Sequence, residues 1–352
     1  MSYRVLFLES KEFYQDILDA SFFSGSEIEY DGASKYKDID FYTKYDLVVY
    51  TIYSSSLYNL IVYNLKCNNI KTMLLMDGIC EFSNFINNKN ICNLGLENYH
   101  PIIADSIGVV GDMAQLYFNS YGVNAVRYLP PRVLPCRRQY NNGNEMFDFL
   151  ITTANTAYYD EHEFSVLVNL IKKVIETLDK NNMTYCFRVF DENLIQELEI
   201  SASTNFKSGD FGTCVSKAKA VITTPSSIVL DSMNMGLPVA TLVYRDSPLF
   251  IQSGWMLVRD SIKGEVFDSM LVQDSKRMHF QKAQVEGCKS EPQGMKNSIE
   301  ANSYFSVEEV SNFINKNMQN MLNSKFNINV ESFVRNLYRK YIKGKRISKI
   351  FR

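Results

Sequence analysis

Short, almost unbroken apolar runs alternate with helically spaced stretches along most of this chain. Runs at residues 4–8, 46–53, 71–76, 106–110 and 124–129 are rich in Val, Leu, Ile, Phe and Tyr. They lack the apolar–polar alternation of a half-exposed strand, so they fit strands covered on both faces, as in a parallel sheet. Between them, residues 11–22, 55–67 and 112–121 have helical spacing, the last stopped by Gly122. The polar, Asn-rich stretch 79–101 reads as a long loop or a short irregular helix.

Residues 130–144, PPRVLPCRRQYNNGN, hold three prolines, three arginines and an Asn-Asn-Gly turn, and read as a linker. A second alternating unit follows. Strands are expected at 147–152, 185–190, 220–223 and 239–243, and helices at 160–180, 192–198, 227–235 and 306–321. The longest carries Phe164, Leu167, Val168, Ile171, Val174, Ile175 and Leu178 on one stripe. The 352 residues exceed what one core usually serves. The expected fold class is α/β, two Rossmann-like domains facing a cleft, with bounds 1–135 and 145–325 and a basic tail at 326–352. In such a pair the ligand lies beyond the carboxyl ends of the strands.

Composition removes several classes of function. The net charge of −2 gives no general pull on nucleic acid. The seven cysteines are odd in number, scattered and without a CxxC pair, which points away from a zinc site or disulfide framework and toward a reducing compartment. No apolar run reaches the length of a membrane span, and the start, MSYRVLFLES, reads as a strand rather than a signal peptide. A cytoplasmic location is expected. From Arg335 to Arg352, eight Lys or Arg stand with no Asp or Glu, interleaved with Leu337, Tyr338, Tyr341, Ile342, Ile347, Ile350 and Phe351. This reads as a basic amphipathic segment able to lie on an anionic membrane surface, or as a solvated terminus.

Chemistry concentrates at strand ends. Residues 219–244, KAVITTPSSIVLDSMNMGLPVATLVY, spell strand, tight turn, helix, glycine stop and strand. Pro225 suits a helix start and Ser226 or Ser227 an N-cap; free N–H groups there, with the positive dipole end, form an anion site. Thr224 adds a hydroxyl. At 74–79, LLMDGI runs a strand into Asp77-Gly78. This is either a common turn dipeptide or a carboxylate placed as general base, with Gly78 turning at positive φ and admitting a sugar. ITTANTAYY at 151–159 puts Thr153 and Asn155 at the cleft edge, as ligand contacts or as a turn before the helix. Arg188 sits in an apolar strand, where a charge needs a partner: a phosphate or carboxylate of the donor, or a structural Asp. The Arg245 and Asp246 pair is a weaker nucleotide contact. His162 and His279 have no metal-like neighbours, and no D-x-D follows an apolar strand, so neither metal nor cofactor is expected.

The strand, T-P-S-S turn and apolar helix ending M-G-L-P-V resemble the donor-binding element of GT-B glycosyltransferases, among them bacterial sialyltransferases, Kdo transferases and CDP-glycerol polymerases. IGVVGDMAQLYFNSYG at 107–122 and RYLPPR at 127–132 resemble the last strand and helix of the first domain and the crossover of those enzymes. The likeness spans roughly residues 70–260. It implies inverting, metal-free transfer, with Ser226 and Ser227 on the donor phosphate and Asp77 as base. Asp77 rather than a His before Gly78 implies a CMP-linked acidic sugar such as sialic acid or Kdo, passed to a bacterial surface glycan or a lipid-linked glycan of lipopolysaccharide or capsule. Met76 departs from the acidic-acidic-Gly pattern, and His-Pro occurs as His100-Pro101 in the first half instead of the second. Rival readings are a UDP-sugar or CDP-glycerol donor, a UDP-N-acetylglucosamine 2-epimerase, which shares the fold, and a non-catalytic partner protein.

Overall fold

The computed structural model describes residues 2–88, 92, 100–134, 146–245 and 247–302. The first part runs β1 (Tyr3–Phe7), β2 (Ser26–Glu29), α1 (Ile39–Tyr42), β3 (Leu47–Tyr50), α2 (Ser56–Cys67), β4 (Thr72–Leu75), α3 (Phe82–Asn87), β5 (Ser106–Val109), α4 (Asp112–Ser120) and β6 (Asn124–Arg127). The second runs β7 (Phe147–Thr152), α5 (Glu161–Lys180), β8 (Tyr185–Arg188), α6 (Glu192–Glu197), α7 (Phe211–Val215), β9 (Ala218–Thr223), α8 (Ser227–Asn234), β10 (Val239–Leu242), β11 (Trp255–Leu257), α9 (Gly264–Leu271), α10 (Ser275–Gly287) and α11 (Gly294–Glu300).

The strands form two sheets, in the orders β2-β1-β3-β4-β5-β6 and β11-β10-β9-β7-β8. Every strand pair in both sheets is parallel. This is the expected α/β fold of two Rossmann-like units, each with its own parallel sheet. Its cause is visible residue by residue. In β4, Leu74 belongs to one apolar cluster while Met73 and Leu75 belong to the cluster on the opposite face. In β7, Phe149 and Ile151 face one way and Leu150 the other. Each buried side chain of this size contributes about 1.5–3 kcal/mol on leaving water, so both faces must be covered.

The strand orders also fix where a ligand belongs. In the second sheet the chain runs outward from β7 to β8, then returns to the other side of β7 for β9, β10 and β11. The direction reverses between β7 and β9, and the crevice of an open parallel sheet lies at the carboxyl ends of such a pair.

Three expectations change. Residues 11–22 form turns instead of a helix. Phe13, Tyr14 and Ile17 donate their N–H groups three residues back, to Ser10, Lys11 and Tyr14, and of these residues' neighbours Leu18 reaches four back. The carbonyls of Asp16 and Ile17 are taken by Arg132 N–H (2.8 Å) and Tyr128 Oη (2.5 Å) of the crossover. Tertiary bonds thus use the groups a helix needs. Second, β2 and β11 are edge strands with no sequence signal: β2 reads SEIE with alternating exposure, and β11 has three residues. Third, α9 to α11 were not foreseen. In α10 only Gln281 and Val285 are buried, so no apolar stripe marks it; Gln281 instead bonds Val239 N–H (2.9 Å), Gly254 N–H (3.1 Å) and the Leu237 carbonyl (2.8 Å). The stretch 79–101 holds the short helix α3. The helix expected at 306–321 and the basic tail lie outside the described residues, as does most of the linker.

Candidate active site

Strands β7 and β9 pair in register, with Thr152 opposite Thr223, so their carboxyl ends open side by side. The two turns are tied together: Thr224 Oγ1 accepts from Ala154 N–H at 2.7 Å. Thr152 Oγ1 donates to the Arg188 carbonyl on the other side (2.8 Å). Thr153 is 3% exposed, and its Oγ1 has no hydrogen-bond partner. Asn155 is exposed at the rim.

Helix α8 starts from this turn. Ser226 is its N-cap, in extended backbone (φ −169°, ψ 173°), yet its side chain makes no capping bond. Its Oγ is buried and also without a partner. Helices α5, α6 and α7 differ: Asp160, Asp191 and Asp210 each cap a first-turn N–H. Ser227, the first helical residue, is exposed. The start of α8 therefore presents uncapped N–H groups, the positive end of its dipole and two buried hydroxyls within one pair of turns. A buried hydroxyl without a partner costs about 1–3 kcal/mol. Two such groups beside a helix start form a cradle suited to an anion.

Asp77 leaves β4 toward the second sheet. Its Oδ2 pairs with Arg132 Nη2 at 2.7 Å, and both side chains are about half exposed (46% and 38%). Gly78 does not adopt positive φ, contrary to expectation. A Cβ there would meet only Arg132 Nη2, at 3.9 Å, so the glycine leaves space beside the ion pair. Next to it, Ile79 packs in the same apolar cluster as Ile228, the neighbour of Ser227. Farther on, Glu81 pairs with Arg245 at the end of β10. The Asp77 loop thus lies along the carboxyl edge of the second sheet, one strand from the Ser226 turn.

The Arg188 guanidinium donates to the carbonyls of Phe206 (2.7 Å), Ser208 (3.5 Å) and Gly209 (3.0 Å) and lies over the Phe190 ring (5.1 Å). No carboxylate meets it among these contacts; main-chain carbonyls satisfy the buried charge. The structure therefore places Thr153, Thr224, Ser226 and Ser227 on two adjoining turns and gives the Arg188 guanidinium main-chain partners.

Arg245 is the more deeply placed cation. Its side chain is 3% exposed. Nε and Nη2 grip Glu163 at 3.0 and 3.1 Å, Nη2 also donates to the Ala157 carbonyl (3.1 Å), and Nη1 reaches Glu81. Tyr159 and Tyr244 lie against it at 5.0 and 4.8 Å. Burial lowers its pKa to about 10. The sequence signal was an arginine closing an apolar strand; nothing marked Glu81 or Glu163 as partners. Asp246 lies outside the described residues. Among the described residues, no three His, Cys, Asp or Glu stand together as metal ligands. A hollow of about 460 Å³ between α5 and α9 contains none of the candidate residues.

No family model matches the chain, and no curated protein matches it. Among solved structures, it is similar to a putative UDP-N-acetylglucosamine 2-epimerase from Listeria monocytogenes (9% identity, 84% of this chain and 94% of that one, TM-score 0.49). It is also similar to MnaA of S. aureus in a co-structure with UDP (11%, 84% and 94%, 0.48). A third is the glycosyltransferase SnogD from Streptomyces nogalater (12%, 89% and 99%, 0.44). These likenesses are too distant to assign an activity, and the paired-sheet architecture rests on the strand order itself.

Proposed function

We propose that the chain is a glycosyltransferase that takes a nucleotide-activated sugar in the cleft between its two sheets. The donor phosphate sits over the start of α8, met by Ser226 and Ser227, with Thr153 and Thr224 beneath it and Asn155 at the rim. The observation that carries this reading is the pair of buried hydroxyls without partners, Thr153 Oγ1 and Ser226 Oγ, at the crevice between β7 and β9. As the glycosidic bond to the donor phosphate breaks, negative charge grows on the leaving nucleotide, where the helix dipole and these donors stabilise it. Asp77 takes the acceptor hydroxyl's proton as that oxygen attacks the anomeric carbon. Its pairing with Arg132 orients the carboxylate and is exposed enough to open for an acceptor. The resemblance of Asp77-Gly78 and of the T-P-S-S turn favours a CMP-linked acidic sugar and a surface or lipid-linked glycan acceptor, and a UDP-sugar is the next donor to test.

A melting-temperature screen with CMP, CDP, UDP, GDP and ADP tests the site. A ligand bound only by the native state at 100 times its Kd adds about 2.7 kcal/mol. Selective stabilisation by CMP is expected; selectivity for UDP keeps the reaction and changes the donor; no shift with any of them rejects the site. Asp77→Asn is expected to keep the fold and lower transfer by about 10²- to 10⁴-fold, the range of a general base. Retained transfer removes Asp77 from that role, and an isomerised sugar formed from donor alone replaces transfer by epimerisation.

A further inference from the structure

The Arg245 node joins three pieces of chain that the proposed reaction needs held together. Through Glu163 and the Ala157 carbonyl it fixes the loop that carries Thr153 and Asn155 into α5. Through its own position at the end of β10 it lies one strand from the Ser226 turn. Through Glu81 it holds the loop that begins at Asp77. Two neighbouring contacts repeat the pattern: Tyr159 Oη donates to Asn84 Oδ1 (2.9 Å), and the hydroxyls of Ser83 and Ser247 meet at 2.7 Å. Phe250, from the second half, is buried in the first sheet's cluster with Phe82, Phe85 and Tyr117 around it. Residues 81–85 are thus fastened to the second domain by charge, by hydrogen bonds and by one aromatic anchor.

We propose that Arg245 is a positioning residue that couples nucleotide occupancy of the second domain to the placement of the Asp77 loop of the first. This rests on the function proposed above. The chemistry favours a coupling role over a purely cohesive one. One guanidinium serves two carboxylates, so the node holds an excess negative charge with little water. Glu163 grips two of the guanidinium nitrogens and Glu81 one, so the Glu81 arm releases first. A small movement of the 153–160 loop on nucleotide binding reaches Arg245 through Ala157, Tyr159 and Glu163, and is passed to Glu81.

Hydrogen exchange on the full chain, with CMP and UDP as probes, tests this. Glu81→Gln removes the weaker arm and leaves the Glu163 grip, so the variant folds. Without nucleotide, amides in 82–88 are expected to exchange about tenfold faster or more, the scale of one hydrogen bond to a charged group, with those of α8 unchanged. In the wild type, nucleotide is expected to protect residues 223–228 and, through the node, 82–88; in Glu81→Gln the first protection stays and the second is lost. Arg245→Lys, which keeps one charge but not the fork, is expected to fall between them. Unchanged exchange of 82–88 in Glu81→Gln without nucleotide overturns the proposal. So does nucleotide protection of 82–88 that survives in the variant, or that is missing from a wild type whose 223–228 turn is protected. Should neither nucleotide protect 223–228 in the wild type, the donor site fails on its own account, and the nucleotide-free comparison still decides whether Glu81 is held by Arg245.

Discussion

At the scale of single residues, two buried oxygens behave in opposite ways. Ser226 occupies an N-cap position without capping, so Ser226→Ala removes an unsatisfied hydroxyl and no hydrogen bond. The variant is expected to keep its melting temperature or gain up to about 1 kcal/mol. Asp160→Ala, which loses a real cap on Glu163 N–H (2.8 Å), should cost about 1 kcal/mol. A loss of nucleotide affinity in Ser226→Ala without a loss of stability separates ligand binding from helix capping; equal destabilisation in the two variants contradicts it. Glu9 is the other case. It lies at the carboxyl end of β1, takes Thr51 and Ile52 N–H groups at 2.8 and 2.9 Å and the Tyr14 hydroxyl at 2.5 Å, and is still pushed above the usual carboxylate range by burial. A raised pKa means that the native state binds the proton more tightly than the unfolded chain. The resulting stability is complete below the unfolded value and is lost as pH rises through the native one. Relative to Glu9→Gln, the wild type should therefore lose urea resistance as pH increases from about 4, and level off once the carboxylate is ionised. A wild-type gain over that interval would show that the three hydrogen bonds outweigh desolvation.

At the scale of elements, the legible parts were those where burial on both faces writes an unbroken apolar run. Strands β1, β3 to β6 and β7 to β10 all fall on such runs, and so does the α8 unit with its T-P-S-S turn. Strands β2 and β11 carry no such mark, because β2 reads SEIE with alternating exposure and β11 is only three residues long; the other two edge strands, β6 and β8, do fall on runs. The false helix at 11–22 had acceptable spacing, but its carbonyls serve Arg132 and Tyr128, which no local pattern reveals. The end of α8 was readable for a conformational reason. Gly236 has φ 80°, its N–H bonds the Met233 carbonyl (2.9 Å), and Leu237 N–H bonds that of Ser232 (3.2 Å), which is a Schellman closure. A Cβ at this position meets nothing within 4 Å, so only backbone strain opposes it. Gly236→Ala should lower the unfolding free energy by about 1 kcal/mol, and Gly236→Asn by less, since Asn tolerates left-handed backbone. Matching urea midpoints for wild type and Gly236→Ala would show that the turn does not hold this conformation.

At the scale of the whole molecule, the last described helix returns to the first sheet, and nothing in local sequence foretold it. Met295 is buried in the first sheet's cluster with Val5, Phe7, Phe22 and Tyr128, and accepts from Ser26 Oγ at 3.0 Å. Around it, Glu291 takes Gln115 Nε2 (2.6 Å), Ser290 Oγ takes Leu129 N–H (2.9 Å), and Lys71 Nζ reaches the Ala301 carbonyl (2.6 Å). The start of α11 lies hard against the first half too: a Cβ on Gly294 would come within 2.4 Å of the Phe22 ring. The chain thus crosses between its halves twice, once at 127–134 and again near 287–295, and the first sheet's core is completed by residues far along the sequence. The site has the same long-range character. The turn that begins α8 is local in sequence and was legible as strand, turn and helix, whereas the Glu81–Arg245–Glu163 node depends on residues 82 and 164 positions apart and was not. If α11 is part of the first sheet's packing, Met295→Ala should cost roughly 2–4 kcal/mol and act at a distance in sequence. Native-state hydrogen exchange should then lose protection in β1, β4 and β6 while β7 and β9 keep theirs. Equal loss in both sheets would mean that Met295 supports the contact between the halves rather than the core of the first.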